Sequence, residues 1–505
     1  MSKFYITTPI YYVNDKPHIG HAYTTISADV LARYHRLRGD EVFFLTGTDE
    51  HGSKVAQAAA KAGLEPQEFC DLNSAKFELL WDQLDITNDK FIRTTSQEHK
   101  DRVKIFLEKL KNNDAIYEGE YSGLYCNGCE KFISEKDLID GKCPDHNCAP
   151  ELLKEKNYFF KFKKYLPEVE KLIDSGQIKI MPESRRKEVL GLIKQGLDDF
   201  SISRESVKWG IELPFDKKQV VYVWVEALLN YITALGFGKK DNNLEKFWPA
   251  EIHLMAKDII KFHALYWPAL LVAAGLQPPK VIFAHGFFTV DGEKMSKTIG
   301  NTIDPQALLD EFGSDAVRYL LLSQFPFGID GDVKAANFAI QYNADLANGV
   351  GNLVSRSIAM IDKYFAGQIP EPGFDEELVG QVEEIWQEYS GAMQQFAVDK
   401  AILAIKKLNA LGDEYVEKNK PWQLAKNNQD SLSVVIYNLL EIIRHLALMT
   451  YPVMPLVSGK IFDCLGEKKW KNKKLEELKR WGGLTKDGKI CKIEALFPRL
   501  EKKSK

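Results

Sequence analysis

The chain has 505 residues, 45 % hydrophobic and 27 % charged, with a formal net charge of −4. That length suits about three domains, and the near-neutral balance excludes attachment to nucleic acid by overall charge, so any such site must be local. No apolar run approaches membrane-spanning length and Met1-Ser2-Lys3 leads straight into a strand without a signal peptide, which predicts a cytoplasmic protein without membrane contact whose seven cysteines include unpaired thiols.

Residues 4–8, aromatic and β-branched, predict a buried strand, followed by a loop marked by Pro9 and Asn14-Asp15. A helix is expected to open near Pro17, since proline fits a first turn where its missing N–H has no partner. His18 and His21 of His18-Ile19-Gly20-His21 then share one face of that turn, beside free backbone N–H groups and a positive dipole end that attract phosphate. Gly20, without a Cβ, is expected to let a nucleotide lie against the backbone. Ile26, Val30 and Tyr34 keep helical spacing and read as core. The next strand, 42–46, runs into Thr48-Asp49-Glu50-His51-Gly52, and in open α/β sheets ligands sit beyond such carboxyl ends.

Four of the seven cysteines are bunched at 126, 129, 143 and 148. Cys126-x2-Cys129 followed by Cys143-x2-His146 has zinc-knuckle spacing, each pair bracketing a tight turn and giving two ligands to a tetrahedron. Cys148 lies close enough to compete for the fourth position. Further strands are expected over 220–225, ending at Glu226, and over 281–284, ending at His285-Gly286. Strands alternating with helical stretches imply a parallel sheet covered on both faces.

Lys294-Met295-Ser296-Lys297-Thr298 follows an Asp291-Gly292 turn. Two imidazoles and two ammonium groups are donors of the kind needed where charge moves onto the phosphates of ATP, with Mg²⁺ accompanying the nucleotide. Adenylate formation is the chemistry they predict.

Beyond about residue 345 the pattern becomes helical. Leu432, Val435, Leu439, Ile443 and Leu446 form one core-facing stripe, while Pro370, Pro372 and Gly373 mark one break and Pro452 and Pro455 another. Residues 461–505 carry 14 Lys and Arg against 7 Asp and Glu, which reads either as a local nucleic-acid site or as a solvated, partly frayed tail.

These motifs, with Thr8-Pro9-Ile10-Tyr11-Tyr12, Tyr222-Val223-Trp224, Lys257-Asp258-Ile259, Phe262-His263 and Lys420-Pro421-Trp422, resemble the class I aminoacyl-tRNA synthetases, and among them the methionine-specific group, over nearly the whole chain. The resemblance implies a Rossmann-type catalytic domain in two halves (1–115 and 218–345), an insertion with a zinc knuckle (116–217) and an all-α anticodon-binding domain (346–505). It implies ATP contacts from His18, Gly20, His21, Asp258, His285, Gly286, Lys294 and Lys297. It also implies a methionine pocket of Ile10, Tyr12, Asp49, Trp224, Ala227, Tyr231, Ile259 and His263, with Asp49 holding the ammonium. Zinc ligands Cys126, Cys129, Cys143 and His146 follow, with Cys148 at a variable position, and anticodon contacts from Asn352, Arg356 and Trp422. On composition alone Trp422, after Pro421, reads more readily as a buried helix-start anchor.

The partners so implied are ATP, methionine and tRNA(Met), with the chain a monomer. Three positions depart from the usual pattern: Ala256 for Gly, Glu226 for Asp and Thr298 for Ser. Synthetases for valine, isoleucine and leucine need a large editing insert, because a hydrophobic pocket separates near-isosteres only about 10–200-fold; no segment here is long enough. A small-molecule adenylyltransferase and a non-catalytic tRNA-binding relative are the alternatives, the first opposed by the helical domain and the zinc insert, the second by the presence of both histidines and both lysines.

Overall fold

The computed structural model describes residues 2–126, 131–133, 135, 138–144, 147–240, 242–290, 292–294, 303–486 and 488–501. Its centre is a six-stranded sheet made of β1 (Lys3–Tyr12), β2 (Glu41–Asp49), β3 (Lys90–Arg93), β4 (Lys179–Met181), β5 (Ile252–Ala256) and β6 (Val281–His285). The order is β3-β2-β1-β5-β6-β4, and every pairing is parallel. Ile252, His253, Leu254 and Met255 are all buried, as strands covered on both faces must be. The strand order reverses between β1 and β5, so a crevice opens beyond their carboxyl ends.

β1 runs further than expected, to Tyr12, and its register with β2 shifts between Thr7 and Ile10. Pro9, expected to begin a loop, sits at that irregularity, where a residue without an N–H is tolerated. Helix α1 (Ile19–Arg38) follows β1 and packs against the sheet with Ile26, Val30 and Tyr34 buried. Helix α2 (Gln97–Asn112) follows β3.

Two expectations about the sheet require correction. Residues 220–225 are not one of its strands: a short strand, Asp216–Val221, belongs to a separate three-stranded sheet, and Tyr222 then caps helix α3 (Val223–Leu228). The position next to β1 is filled instead by β5. Within 116–217, strands Ile116–Cys126, Lys131–Ile133, Glu151–Phe160 and Phe200–Ser201 form an antiparallel sheet, whereas β4 returns to the main sheet beside β6.

The helical region includes α4 (Gly351–Phe365), α5 (Glu376–Gln394), α6 (Val398–Asn419), α7 (Pro421–Asn427) and α8 (Gln429–Thr450). The predicted stripe of α8 is buried throughout. Contrary to the sequence reading, α8 is long and apolar enough to cross a membrane by length and composition, but 89 % of that stretch lies buried within the protein. The basic C-terminal segment is not frayed over its described part: Trp470 stacks on Phe462 at 4.3 Å, and the buried Glu441 carboxylate accepts from the Gly482 and Leu484 N–H groups at 3.1 and 2.9 Å.

Candidate active site

The carboxyl ends of β1, β2, β5 and β6 bring His18, Asp49, Asp258 and His285 to the rim of one crevice. His18 is the N-cap of α1 and forms a reciprocal capping box with His21. The Gly20 N–H donates to His18 Nδ1 at 3.1 Å, and the His18 N–H donates to His21 Nδ1 at 3.3 Å. Because each Nδ1 accepts, each ring carries its proton on Nε2, and that N–H is the donor directed away from the capping backbone. The rings stack at 3.7 Å, so the two donors act as one unit at the positive end of the helix. A Cβ on Gly20 would stand 2.9 Å from His18 Cε1. The glycine therefore makes room for the histidine ring.

His285 is buried at the end of β6 and its pKa is pushed down to about 4 by burial. Its Nδ1–H donates to the Gly286 carbonyl at 2.7 Å, leaving Nε2 to accept from the Thr24 hydroxyl at 2.7 Å. Gly286 passes so close to the next segment that a Cβ would lie 2.1 Å from Ile329 backbone atoms, so no other residue fits. Asp258 is exposed on the turn Lys257–Ile259, next to a Lys257–Asp330 ion pair at 2.5 Å.

The residues expected to form the amino-acid pocket gather between β1, α3 and a π-helical turn, Phe262–Tyr266, of a kind frequent at functional sites. Trp224, on α3, stacks on Phe262 at 4.0 Å and meets Tyr12 edge-on at 6.3 Å. His263 Nδ1–H donates to the Ile259 carbonyl at 3.0 Å, and Nε2 accepts from the Tyr231 hydroxyl at 2.7 Å. Burial lowers the His263 pKa to about 4 and raises that of Tyr231, so both are neutral near pH 7. Ile10 and Ile259 are half-buried and Ala227 is buried; Asp49 is buried at the end of β2. The sequence reading missed Phe262 as a wall, Thr24 as the His285 partner, and His253, buried between Thr7 and Trp267. Only Phe262, adjacent to His263 in a quoted motif, gave a local signal.

Lys294 lies in a short hairpin that turns at Gly292 (φ +79), whose N–H donates to Asp332 at 2.7 Å; Lys297 and Thr298 lie outside the described residues. In the insertion, Cys126 and Cys143 are buried and Cys148 is half-buried, while Cys129 and His146 also lie outside the described residues. Among the described residues no group of three possible metal ligands occurs. Cys126 and Cys148 nevertheless bring their sulfurs to 3.6 Å, close to the edge of about 3.8 Å that two thiolates span in a zinc tetrahedron with Zn–S near 2.3 Å.

In the helical region, Asn352 and Arg356 lie on the first turns of α4 and Trp422 on the first turn of α7. Arg356 bonds Glu417 at 3.0 Å, one turn before the α6–α7 junction. Pro421 is the buried residue at that helix start, and Trp422 is 39 % exposed, so the anchor reading of the tryptophan fails.

An all-parallel nucleotide-binding sheet with paired histidines at its first helix, continued by a helical bundle, defines a class I tRNA synthetase. A family model described as tRNA synthetases class I (M) matches residues 4–151 and 136–358, and one described as the anticodon binding domain of methionyl tRNA ligase matches 369–504. The chain belongs to the methionyl tRNA synthetase family. It is 45 % identical over 510 residues to a methionine–tRNA ligase of Thermotoga maritima, covering 99 % of this chain and 81 % of that protein, and 42 % identical over 506 residues to one of Rickettsia felis, covering 99 % and 98 %. A Mycobacterium tuberculosis methionyl-tRNA synthetase in complex with methionyl-adenylate superposes with TM-score 0.95 at 39 % identity, covering 99 % of this chain and all of that one. The apo form of the Mycobacterium tuberculosis enzyme superposes at 0.88.

Proposed function

We propose that this chain activates methionine with ATP and transfers it to tRNA(Met), and that the residues converging on the crevice carry both steps. The methionine carboxylate attacks the α-phosphate of ATP; the bond to the bridging oxygen breaks, and pyrophosphate leaves from methionyl-adenylate. A hydroxyl of the terminal adenosine of tRNA then attacks the activated carbonyl, and AMP departs. The observation that carries this reading is the histidine pair at the N-terminus of α1, whose Nδ1 atoms are both occupied by backbone N–H groups. Two fixed Nε2–H donors need no reorganisation as charge builds on the phosphates.

Lys294 and Lys297 would add charge from the loop as pyrophosphate departs, with Asp258, Gly20, His285 and Gly286 along the nucleotide. Asp49 would hold the methionine ammonium. The side chain would enter among Ile10, Tyr12, Trp224, Ala227, Tyr231, Ile259 and His263, a neutral, aromatic wall suited to a polarizable thioether. Mg²⁺ arrives with ATP and offsets charge on its β- and γ-phosphates.

A structural zinc ion in the insertion would be held by Cys126, Cys129, Cys143 and His146, with Cys148 as the rival fourth ligand; the 3.6 Å approach of the Cys126 and Cys148 sulfurs supports a metal site here and by itself favours the rival. Asn352, Arg356 and Trp422 read the anticodon. Boundaries at 115, 217 and 345 divide the units along the chain, although β4 of the insertion joins the catalytic sheet; the setting is the cytoplasm, with the chain a monomer.

The test is exchange of labelled pyrophosphate into ATP. Exchange is expected with methionine, far less with leucine or isoleucine, and none with the other amino acids. Strong exchange with a different amino acid overturns the methionine assignment, and none with any overturns activation itself.

A further inference from the structure

Glu226, on α3, has no solvent exposure. Its two carboxylate oxygens are taken by two imidazoles from different parts of the chain: Oε1 by His51 Nδ1 at 2.9 Å and Oε2 by His99 Nε2 at 2.9 Å. His51 follows Asp49 by two residues in the loop beyond β2, and His99 lies in the first turn of α2. The other nitrogen of His99 meets the Thr233 hydroxyl at 2.8 Å. Isolated in apolar surroundings a carboxylate would be expelled or protonated. Burial alone would raise the Glu226 pKa, yet the charge and hydrogen bonds of His51, joined by those of His99, hold it below the ordinary glutamate value. The group is therefore an anion that accepts an N–H from each imidazole, and breaking such a buried cluster is costly.

The position of the cluster gives it a consequence for substrate. On α3, Trp224 and Ala227 are three residues apart and share a face, whereas Glu226 points the other way. One carboxylate thus ties the wall of the proposed methionine pocket to the loop that carries Asp49. A glutamate spans both imidazoles at hydrogen-bond distance; aspartate, one methylene shorter, reaches one of them.

We propose that Glu226, through His51 and His99, is a positioning residue that fixes the spacing between Asp49 and the Trp224–Ala227 wall, and thereby sets the affinity for the amino acid. This rests on the reading of Asp49 and Trp224 as amino-acid contacts, and it concerns the methionine site alone. The nucleotide is gripped from α1 and β6, which the cluster does not touch.

The experiment is steady-state pyrophosphate exchange on the full chain, with methionine and ATP varied separately, alongside methionine titrations followed by tryptophan fluorescence in the absence of ATP. Glu226→Gln removes the charge at nearly constant shape, and is expected to raise both the methionine KM and the methionine Kd about tenfold. The ATP KM and kcat should change by less than about twofold. Glu226→Asp, which keeps the anion, should recover part of the methionine affinity. Should Glu226→Gln not fold, His51→Gln makes the same cut from the other side and carries the same expectation.

An unchanged methionine Kd in a folded variant overturns the proposal, as does an equal rise in the methionine and ATP KM values, which marks a general structural defect. Asp49→Ala separates the two levels of inference. If it too leaves methionine affinity unchanged, the reading of the pocket has failed. If it weakens methionine while Glu226→Gln does not, only the positioning role has failed.

Discussion

At the opening of α1, backbone N–H groups decide the tautomers of two side chains, and this yields a test that separates capping from catalysis. In His21→Asn the amide oxygen can take the place of Nδ1 and go on accepting from the His18 N–H, while the Nε2–H donor is lost. Stability should therefore hardly change, since the cap survives, whereas kcat for pyrophosphate exchange should fall by about 100- to 1,000-fold, the usual cost of one preorganised donor to a developing anion. Thermal melting checks the first statement and exchange kinetics the second. A variant that still exchanges within fivefold of the parent would reduce His21 to a cap. The pairing of the two histidines was legible from their spacing. The close approach of the His18 ring to Gly20 was not, because the nearest atoms to the missing Cβ belong to His18 itself, a contact that exists only once the N-cap ring folds over the turn.

Among the elements, legibility followed local chemistry and stopped where neighbours decided. Residues 220–225, all β-branched or aromatic, have strand propensity, yet Tyr222 (φ −62°, ψ 127°) caps a helix there, because β5 takes the place beside β1. β5 itself, Ile-His-Leu-Met-Ala, contains a histidine and carries no period-two alternation, since both of its faces are buried; only the Thr7 and Trp267 partners of His253 make that residue acceptable in the core. By contrast α8 was plain from its stripe and α7 from Lys420-Pro421. The exposed ring of Trp422 supports the anticodon reading at this scale: loss of one base stack should cost about 1–3 kcal/mol in tRNA recognition. Trp422→Ala should then lower aminoacylation while leaving pyrophosphate exchange intact, and equal losses in both assays would make it a folding defect. The knuckle has its own measurement, the zinc content of single variants. Zinc should fall in Cys126→Ala and His146→Ala and persist in Cys148→Ala; loss on removing Cys148 instead would give that thiol the fourth position.

For the whole molecule, the joint between catalytic sheet and helical region is a buried ion cluster that no motif announced. Asp29 on α1 bonds Arg33 and Arg318, each at 2.7 Å, and Arg318 further donates to the carbonyls of Leu84, Pro452 and Val453. One guanidinium thereby joins the core helix of the sheet to the turn after α8. Breaking such a cluster from one side, as in Arg318→Met, should cost about 3–5 kcal/mol, readable as a lower urea midpoint. The titrations give a sharper test, because two kinds of group lose stability in different pH windows.

His263 and His285, held near pKa 4 by burial against an ordinary 6.5, remain neutral in the folded state while the unfolded chain takes up protons. Their contribution is complete above about 6.5 and is lost as pH falls towards 4. Burial opposes the charge on Asp29, but Arg318 and then Arg33 outweigh it and hold its pKa below 3.8. Its contribution is therefore complete above 3.8 and is lost as pH falls further, through the folded-state value. Urea unfolding followed across pH should show stability declining in these two stages. His263→Gln should shrink the upper stage by its own share and leave the lower one, and Asp29→Asn, at a lower overall stability, should shrink the lower stage and leave the upper one. A decline unaffected by either substitution would mean that acid opens this molecule elsewhere, and that the joint between its two parts is held by apolar packing instead of the Asp29 ion cluster.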